Sequence, residues 1–371
     1  MRRVVKFALW GVGGLVAVIV LVVLCFLAYR TIRQHQNAEQ SAIRTPNGVQ
    51  EAMFVTIGGV KQWITIRGQN RNNPVLLMVD GGPGAASSVF MPSPWEKEFT
   101  VVEWDQPGAG KTFAVAGGKI DPRLTIDQIS KEGTEIAAFL CQHLRKSKVG
   151  IYADSWGTII GIHMIKMRPD LFYAYVGTGQ LVNMRKGEAL DYEHVLEKAR
   201  AKGDAAAIKE LTSIGPFPYR SFTDFTVQRK WASAYEVGGI DSGAILSAIL
   251  FAPDYSLGDV GNWFAAFSAS QAHFLGQNMK GPEMAVDLPA LGTKFEVPVF
   301  MFQGTEDDYT PFSLAKSYFD AINAPQKLFI AASGKGHYAA FSDATAFKKL
   351  LLDHVRPLGL TAVRDTGSPN R

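Results

Sequence analysis

Apolar and polar positions along the chain fall into three successive patterns. From Ala8 to Tyr29 no residue is charged and Val, Leu and Ile dominate, a run long enough to cross a bilayer as a helix. The polar stretch Gln34 to Gly48 reads as a short tether. Short apolar runs separated by turn residues then predict strands at Ala52–Ile57, Gln62–Arg67, Val75–Val79 and Phe99–Trp104. Gly58-Gly59 joins the first two as a hairpin signal. The next two are continuous apolar runs around a glycine-rich loop, the pattern of buried strands in a mostly parallel sheet. Thr125 to Arg145 puts Ile126, Ile129, Ile136, Phe139 and Leu140 on one face of an amphipathic helix. It leads into an apolar run (Val149, Ile151, Tyr152) that reaches Ser155. A helix begins near Trp156 and ends at Met167, before Pro169, and Ala174–Gly177 reads as one more buried strand.

From about Leu181 to Lys294 the pattern turns helical, with helices expected at Glu188–Lys202, Ala205–Thr212, Phe222–Tyr235 and Gly243–Phe251. This is too long for a loop and lies between sheet strands, so it reads as an inserted helical cap. Trp231, Trp263, Phe264, Phe267 and Phe274 give it an aromatic interior. The sheet resumes with Val297–Gln303, a helix near Ser313–Ile322 and a strand at Lys327–Ala331; Phe341–Val355 is the final helix and GLTAVRDTGSPNR a frayed tail. Strand and helix alternate as in a doubly wound α/β sheet. The expected organisation is an N-terminal anchor (1–36), a first part of the α/β core (37–180), the cap (181–294) and a second part of the core (295–371).

Composition narrows the class. The chain has 371 residues, 47% of them apolar and 19% charged, which suits a folded core and argues against disorder. Its formal charge of +4 is concentrated in Arg2, Arg3, Lys6, Arg30 and Arg33; the rest is close to neutral, and no basic surface for nucleic acid is expected. Those five charges bracket the apolar run. LVVLCFLAYR has no small-residue cleavage site, so an uncleaved signal anchor is favoured over a signal peptide. The excess of positive charge before the run keeps the N-terminus cytoplasmic and puts the body outside, periplasmic in a Gram-negative cell. Cys25 lies in the span and Cys141 alone in the body, so neither a disulfide nor a paired-cysteine metal site is expected.

The candidate chemistry gathers at KVGIYADSWGTIIG, residues 148 to 161. A buried strand, a sharp turn carrying Ser155 and an immediate helix have the form of the nucleophile elbow, G-x-S-x-G, with Ala153 at the first glycine. A serine hydroxyl needs a base to take its proton and a third group to orient that base. His337, in SGKGHY after a strand, is the base candidate. His143, His163, His194, His273 and His354 fall in helices or the cap, and His35 in the tether. GTEDDYTP, after the preceding strand, offers Glu306, Asp307 and Asp308 as the acid. Oxyanion stabilisation needs two backbone donors. Trp156 supplies one, and Asp80-Gly81-Gly82-Pro83-Gly84 the other, Gly82 favoured and Gly81 next. Gly110-Lys111-Thr112 echoes a phosphate loop, but Asp105 stands where its first glycine belongs. No histidines are paired at metal-ligand spacing, and neither a metal nor a cofactor is expected.

DGGPG, DQPGAGKT, DSWG, GTEDDYTP and GKGHY, in this order and spacing, resemble the proline iminopeptidase-like branch of the α/β-hydrolases over most of residues 50–355. The resemblance implies an α/β-hydrolase fold with a cap and a Ser155-Asp307-His337 triad, Asp307 being the acid whose spacing from Gly304 and Pro311 fits the family. It implies release of an N-terminal residue from short peptides through an acyl-enzyme. Family aminopeptidases hold the substrate amine with cap glutamates, and Glu236 in KWASAYEVGG loosely resembles one of them; otherwise it is a solvated helix end. Asp80 replaces the family's histidine, Pro107 its arginine, and Ala153 and Thr158 two glycines. The acid at Asp80 puts the usual substrate preference in question. A carboxylesterase or amidase using the same residues is the alternative, and a non-catalytic binding protein a third reading.

Overall fold

The structure, a computed structural model, describes residues 2–90, 92–239 and 241–364. Eight strands form one sheet: β1 Val49–Ile57, β2 Val60–Gly68, β3 Val75–Val79, β4 Thr100–Trp104, β5 Val149–Asp154, β6 Phe172–Thr178, β7 Val299–Gly304 and β8 Lys327–Ala332. Their spatial order is β1-β2-β4-β3-β5-β6-β7-β8. β1, β2 and β4 pair antiparallel, and all pairs from β4 onward are parallel. Gly58 and Gly59 turn the β1–β2 hairpin with φ of 58° and 79°, a region that costs other residues a steric clash.

The central strands are buried on both faces, and the period of two divides their side chains between two cores. Leu77, Val79 and Ile151 pack with Ile136 and Leu140 of α3 (Ile126–Leu144) and Ile159 of α4 (Trp156–Met167). Leu76, Met78, Tyr152, Phe300 and Phe302 face the C-terminal helices through Phe347 and Leu351. Ahead of β1 stands α1, Arg2–Ser41, and between β4 and α3 lies α2, Gly110–Val115, a short helix in the phosphate-loop look-alike. Between β6 and β7 stand the cap helices α5 Met184–Ala201, α6 Ala205–Ile214, α7 Phe222–Tyr235, α8 Ser242–Phe251 and α9 Leu257–Leu275. Helix α10 (Phe312–Ala321) joins β7 to β8, and α11 Ala339–Ser342, α12 Ala344–Leu350 and α13 Arg356–Arg364 follow β8.

Three expectations are corrected. The stretch after the apolar run is not a tether from Gln34: α1 stays helical to Ser41 and donates hydrogen bonds to the cap from Arg30, Gln34 and Asn37. The tail is helical to Arg364; a π-helical turn at Leu351–Val355 precedes Pro357, where an α-helical register would set the ring against a carbonyl. The last seven residues of the expected frayed tail lie outside the described ones. Within the cap, Phe274 is buried against Trp156 at a ring separation of 4.6 Å, but Phe264 is 44% exposed.

Candidate active site

Because β3 to β8 run parallel, their C-terminal ends share one edge of the sheet, and Asp80, Asp105, Ser155, Gly179, Asp307 and His337 all follow those ends. Ser155 sits between β5 and α4 with φ 50° and ψ −122°, one of three non-glycine residues with positive φ among those described. Such strain persists where the surroundings over-determine it. Here a Cβ on Gly157 would stand 1.8 Å from the Val79 carbonyl oxygen, so the turn is tight enough to require glycine. Ala153 is tolerated at the other motif position because it faces Gly161, whose missing side chain leaves room.

The His337 side chain is 8% exposed, and its Nδ1 lies 3.1 Å from both carboxylate oxygens of Asp307. Asp307 is fixed in turn by Gln303 Nε2, which donates at 2.7 Å, and by the Thr310 amide and hydroxyl at 2.9 and 2.7 Å. The imidazole lies against Gly179, where a Cβ would meet Cε1 at 2.7 Å, and the Ser155 amide donates to the adjoining Thr178 carbonyl. No hydrogen bond joins the Ser155 hydroxyl to the ring among the described residues. Burial alone would lower the His337 pKa; the charge and hydrogen bond of Asp307 outweigh it and raise it. The other two acids of the turn diverge: Glu306 is exposed, and Asp308 pairs with Lys198 at 2.5 Å.

Around Ser155, Gly81 approaches closest on the glycine loop: a Cβ there would lie 3.1 Å from Ser155 Cβ, whereas one on Gly82 would meet the Gly84 and Ala85 amides. Trp156 opens α4, and its indole donates to Gln106 Oε1 at 3.3 Å, while Gln106 Nε2 holds the Asp80 carbonyl at 2.8 Å. Glu236 ends α7 beside His337. Its Oε1 accepts from the His337 amide at 2.5 Å, the next residue's carbonyl (Val237) takes the Gly336 amide at 3.1 Å, and Oε2 is buried with no partner among the described residues. Burial first, with Asp307's charge adding, lifts its pKa to about 7 against the pull of His337.

No protein-family model matches the chain. It is 28% identical over 311 residues to a Bacillus subtilis protein named "Probable aminopeptidase YbaC", covering 81% of this chain and 95% of the relative. It is 23% identical to a proline iminopeptidase of Lactobacillus delbrueckii subsp. lactis over 308 residues, 81% of this chain and 96% of the relative. The crystal structure of a Mycobacterium smegmatis proline iminopeptidase superposes with a TM-score of 0.60 at 15% identity, over 84% of this chain and all of the other. The chain is a proline iminopeptidase-like α/β-hydrolase.

Two features of this hydrolase were not anticipated. The first lies beneath the glycine loop, where the charges of Asp154 and Asp105 raise the pKa of Asp80 and those of Asp80, Asp105 and Asp154 raise that of Glu103. Burial, then the charge of Asp154, lifts Asp80 to about 8; burial lifts Asp105 and Asp154 to about 6 and Glu103 well above its ordinary value. Asp80 is 2% exposed, and its Oδ2 accepts from the Ser87 amide at 2.7 Å. The acid that replaces the family's histidine is therefore a buried brace for the loop, and its burial favours the protonated form. Because the folded state holds this proton more tightly than the unfolded one, the stability it lends is full below the ordinary pKa of 3.8 and is lost as pH rises toward 8. Asp80→Asn keeps an acceptor for Ser87 and cannot ionise. Its melting temperature should exceed the wild type's by on the order of 5 °C at pH 9 and by much less at pH 5; equal differences at both would contradict this account.

The second feature is in the cap. Arg229 on α7 bridges Glu188 and Asp191 of α5, and its guanidinium lies 5.2 Å from the ring centre of Tyr309, whose other neighbour is the His337 ring at 5.0 Å. Among the described residues, Glu188 Oε2, Asp191 Oδ1 and Glu283 Oε2 are buried without a hydrogen-bond partner. Burial raises the pKa of all three, Asp191 and Glu283 to about 8. Glu188, Tyr309 and Thr310 line one narrow cavity, and the Thr310 hydroxyl is 3.3 Å from His337 Nδ1. The sequence carried a signal for this cluster. Glu188 and Asp191 fall on the same stripe of α5 as Met184, Tyr192, Val195 and Ala199, where an amphipathic helix places apolar residues.

Proposed function

We propose that this hydrolase is a membrane-anchored serine aminopeptidase that removes an N-terminal residue from short peptides. The reading rests above all on the His337 imidazole, held at Nδ1 by Asp307 and laid beside the strained Ser155 turn. With Nδ1–H committed to Asp307, Nε2 is the free base. It takes the Ser155 proton as Oγ bonds to the scissile carbonyl carbon, and the Trp156 amide and one from Gly81 or Gly82 receive the oxyanion. Collapse breaks the C–N bond and the leaving amine takes the proton from His337. Water, deprotonated by the same nitrogen, then releases the acyl group and restores Ser155.

A free α-amine is a cation that needs buried acceptors, and the oxygens of Glu188, Asp191 and Glu283 are the candidates, grouped around Arg229, whose guanidinium is separated from His337 by the Tyr309 ring. The YbaC relative's name and the proline iminopeptidase relatives agree with this class. The long apolar α1, exposed along the described side chains of Leu9 to Tyr29, supports the anchor, with the body outside the cytoplasm. The deciding assay compares proline and alanine p-nitroanilides with their N-acetyl forms, using the full chain in detergent. Free-amine substrates should be favoured by at least about 10²-fold in kcat/KM, the worth of an ion pair whose loss leaves a buried charge. Equal rates would move the protein to the esterase or amidase reading. One observation favours that second reading: Glu236, the cap acid expected to hold the amine, already carries the His337 amide.

In this geometry Glu236 positions the histidine loop. Glu236→Gln retains an oxygen for the His337 amide but loses a charge that raises the His337 pKa. The base must be neutral to act, so activity falls as pH drops through that pKa. The variant's acid limb should move to lower pH by roughly half a unit, with free-amine selectivity unchanged. A pH–rate profile of unaltered shape but lost selectivity would return Glu236 to the amine site.

A further inference from the structure

The outer end of α1 is built into the cap. Arg30, 8% exposed, donates from Nε to the Leu250 carbonyl at 3.0 Å and from Nη2 to that of Tyr255 at 2.5 Å. Gln34 Nε2 donates to the Ala252 and Tyr255 carbonyls at 2.7 and 2.8 Å, and Asn37 Nδ2 to that of Phe251 at 3.0 Å. Residues 30, 34 and 37 share one helix face, and their targets close α8 and the turn after it, where carbonyls have no partner within the helix. The contact starts where the apolar run stops: the Tyr29 ring meets Phe251 edge-on at 5.6 Å. At ~1.5 Å per residue, positions 29 to 37 lie within about 12 Å of the end of that run, the depth of a headgroup layer.

Helix α8, SGAILSAILF, has no charged residue and only Ile249 is buried. Leu246 is 46% exposed, and Leu257 and Phe264 of α9 are 45% and 44% exposed. A single exposed leucine is ordinary, but an uncharged helix left largely uncovered calls for an apolar partner.

We propose that α8 is a second membrane contact, lying in the interfacial layer of the bilayer that α1 crosses; the proposal rests on the anchor reading of α1. Continuity with α1 selects the bilayer over a protein partner, since the hydrogen bonds fix the end of α8 at the height where α1 leaves the apolar layer. The same segment roofs the site. Tyr255 Oη lies 3.2 Å from Ser88 Oγ, and the Trp263 indole donates to the Ala86 carbonyl at 3.0 Å, both on the loop that continues from Gly81-Gly82. The bilayer thus sets the position of the cap over the oxyanion loop.

The test uses the full chain in vesicles of phosphatidylcholine and phosphatidylglycerol with brominated acyl chains, and an environment-sensitive fluorophore at one cysteine. Native Cys25, exposed on α1, is labelled in Cys141→Ser; α8 and α9 are labelled through Leu246→Cys and, separately, Leu257→Cys, and α6, which packs on α5 and α7, through exposed Lys209→Cys, each in a Cys25→Ser, Cys141→Ser background. An interfacial helix buries its apolar face ~5–10 Å into the acyl boundary, so bromolipid should quench the label at Leu246→Cys or Leu257→Cys about twofold, the Cys25 label at least as strongly, and the Lys209→Cys label not at all. Quenching at Cys25 without quenching at either α8 or α9 site overturns the proposal while the anchor stands. No quenching at Cys25 overturns the anchor and the proposal with it. Labels at Leu246→Cys and Leu257→Cys that resist both bromolipid and aqueous iodide would show a protein partner on this face, which also overturns it.

Discussion

Ser155→Ala should reduce kcat/KM on every ester or anilide the wild type cleaves by about 10⁵-fold, leaving only what binding and the oxyanion donors supply. The substitution removes one oxygen from a turn whose φ of 50° is imposed by Gly157 and the strand before it, so the melting temperature should barely move. Asp307→Asn should cost about 10⁴-fold. Its amide would still occupy the pocket formed by Gln303 and Thr310, but it would no longer hold the His337 tautomer that leaves Nε2 free. A fluorophosphonate probe gives the same test without a substrate. It should label the wild type, label Asp307→Asn slowly and leave Ser155→Ala unlabelled. Wild-type protein that resists the probe would support the non-catalytic binding reading, and turnover by Ser155→Ala within tenfold of wild type would remove Ser155 from the mechanism.

The elements that frame this site were legible because their causes are local. A buried parallel strand must be a continuous apolar run, so β3, β5 and β6 stand out. The elbow needs small residues around a serine, and the hairpin needs residues that accept positive φ, as Gly58 and Gly59 do. Choosing Asp307 over Glu306 and Asp308 was different. Three adjacent acids on one turn are equivalent in pattern, and only spacing borrowed from the family separated them. In the fold the three diverge, one to solvent, one to Lys198 and one to His337.

What sequence did not disclose depends on contacts between distant segments. Gln34 and Asn37 look like tether residues because their partners, the carbonyls of residues 251, 252 and 255, are more than two hundred positions away. Asp80 raises a question of substrate preference in the sequence because its burial, at 2% exposed beside Asp105 and Asp154, is set by segments far from it in the chain. A fragment starting at residue 37 would lack Arg30 and Gln34, and with them the bonds to the carbonyls of Leu250, Ala252 and Tyr255 that seat the cap on α1.

The cap cluster yields the second large effect. Arg229 is the cation shared by Glu188 and Asp191, whose side chains are 1% and 0% exposed. Arg229→Met keeps much of the side-chain stem and removes the charge, and stranding buried partners costs about 3–5 kcal/mol. At pH 8 the melting temperature should fall by on the order of 10 °C. The sign of the pH dependence separates this from lost packing. With Arg229 gone, the folded-state pKa of both acids rises further above the unfolded value, so their protonated forms are the ones the fold accepts. Stability of the variant is then greatest in acid and declines as pH climbs, and the deficit against wild type should shrink at pH 5. Adding Glu188→Gln to the variant should recover part of the loss at pH 8. A free amine should do the same if this cluster receives the substrate's amino group: prolinamide would raise the melting temperature of Arg229→Met more than that of wild type, because it replaces the missing cation. A deficit that is independent of pH and indifferent to prolinamide would reduce the cluster to a structural ion pair and leave the amine of the substrate without a site in the cap.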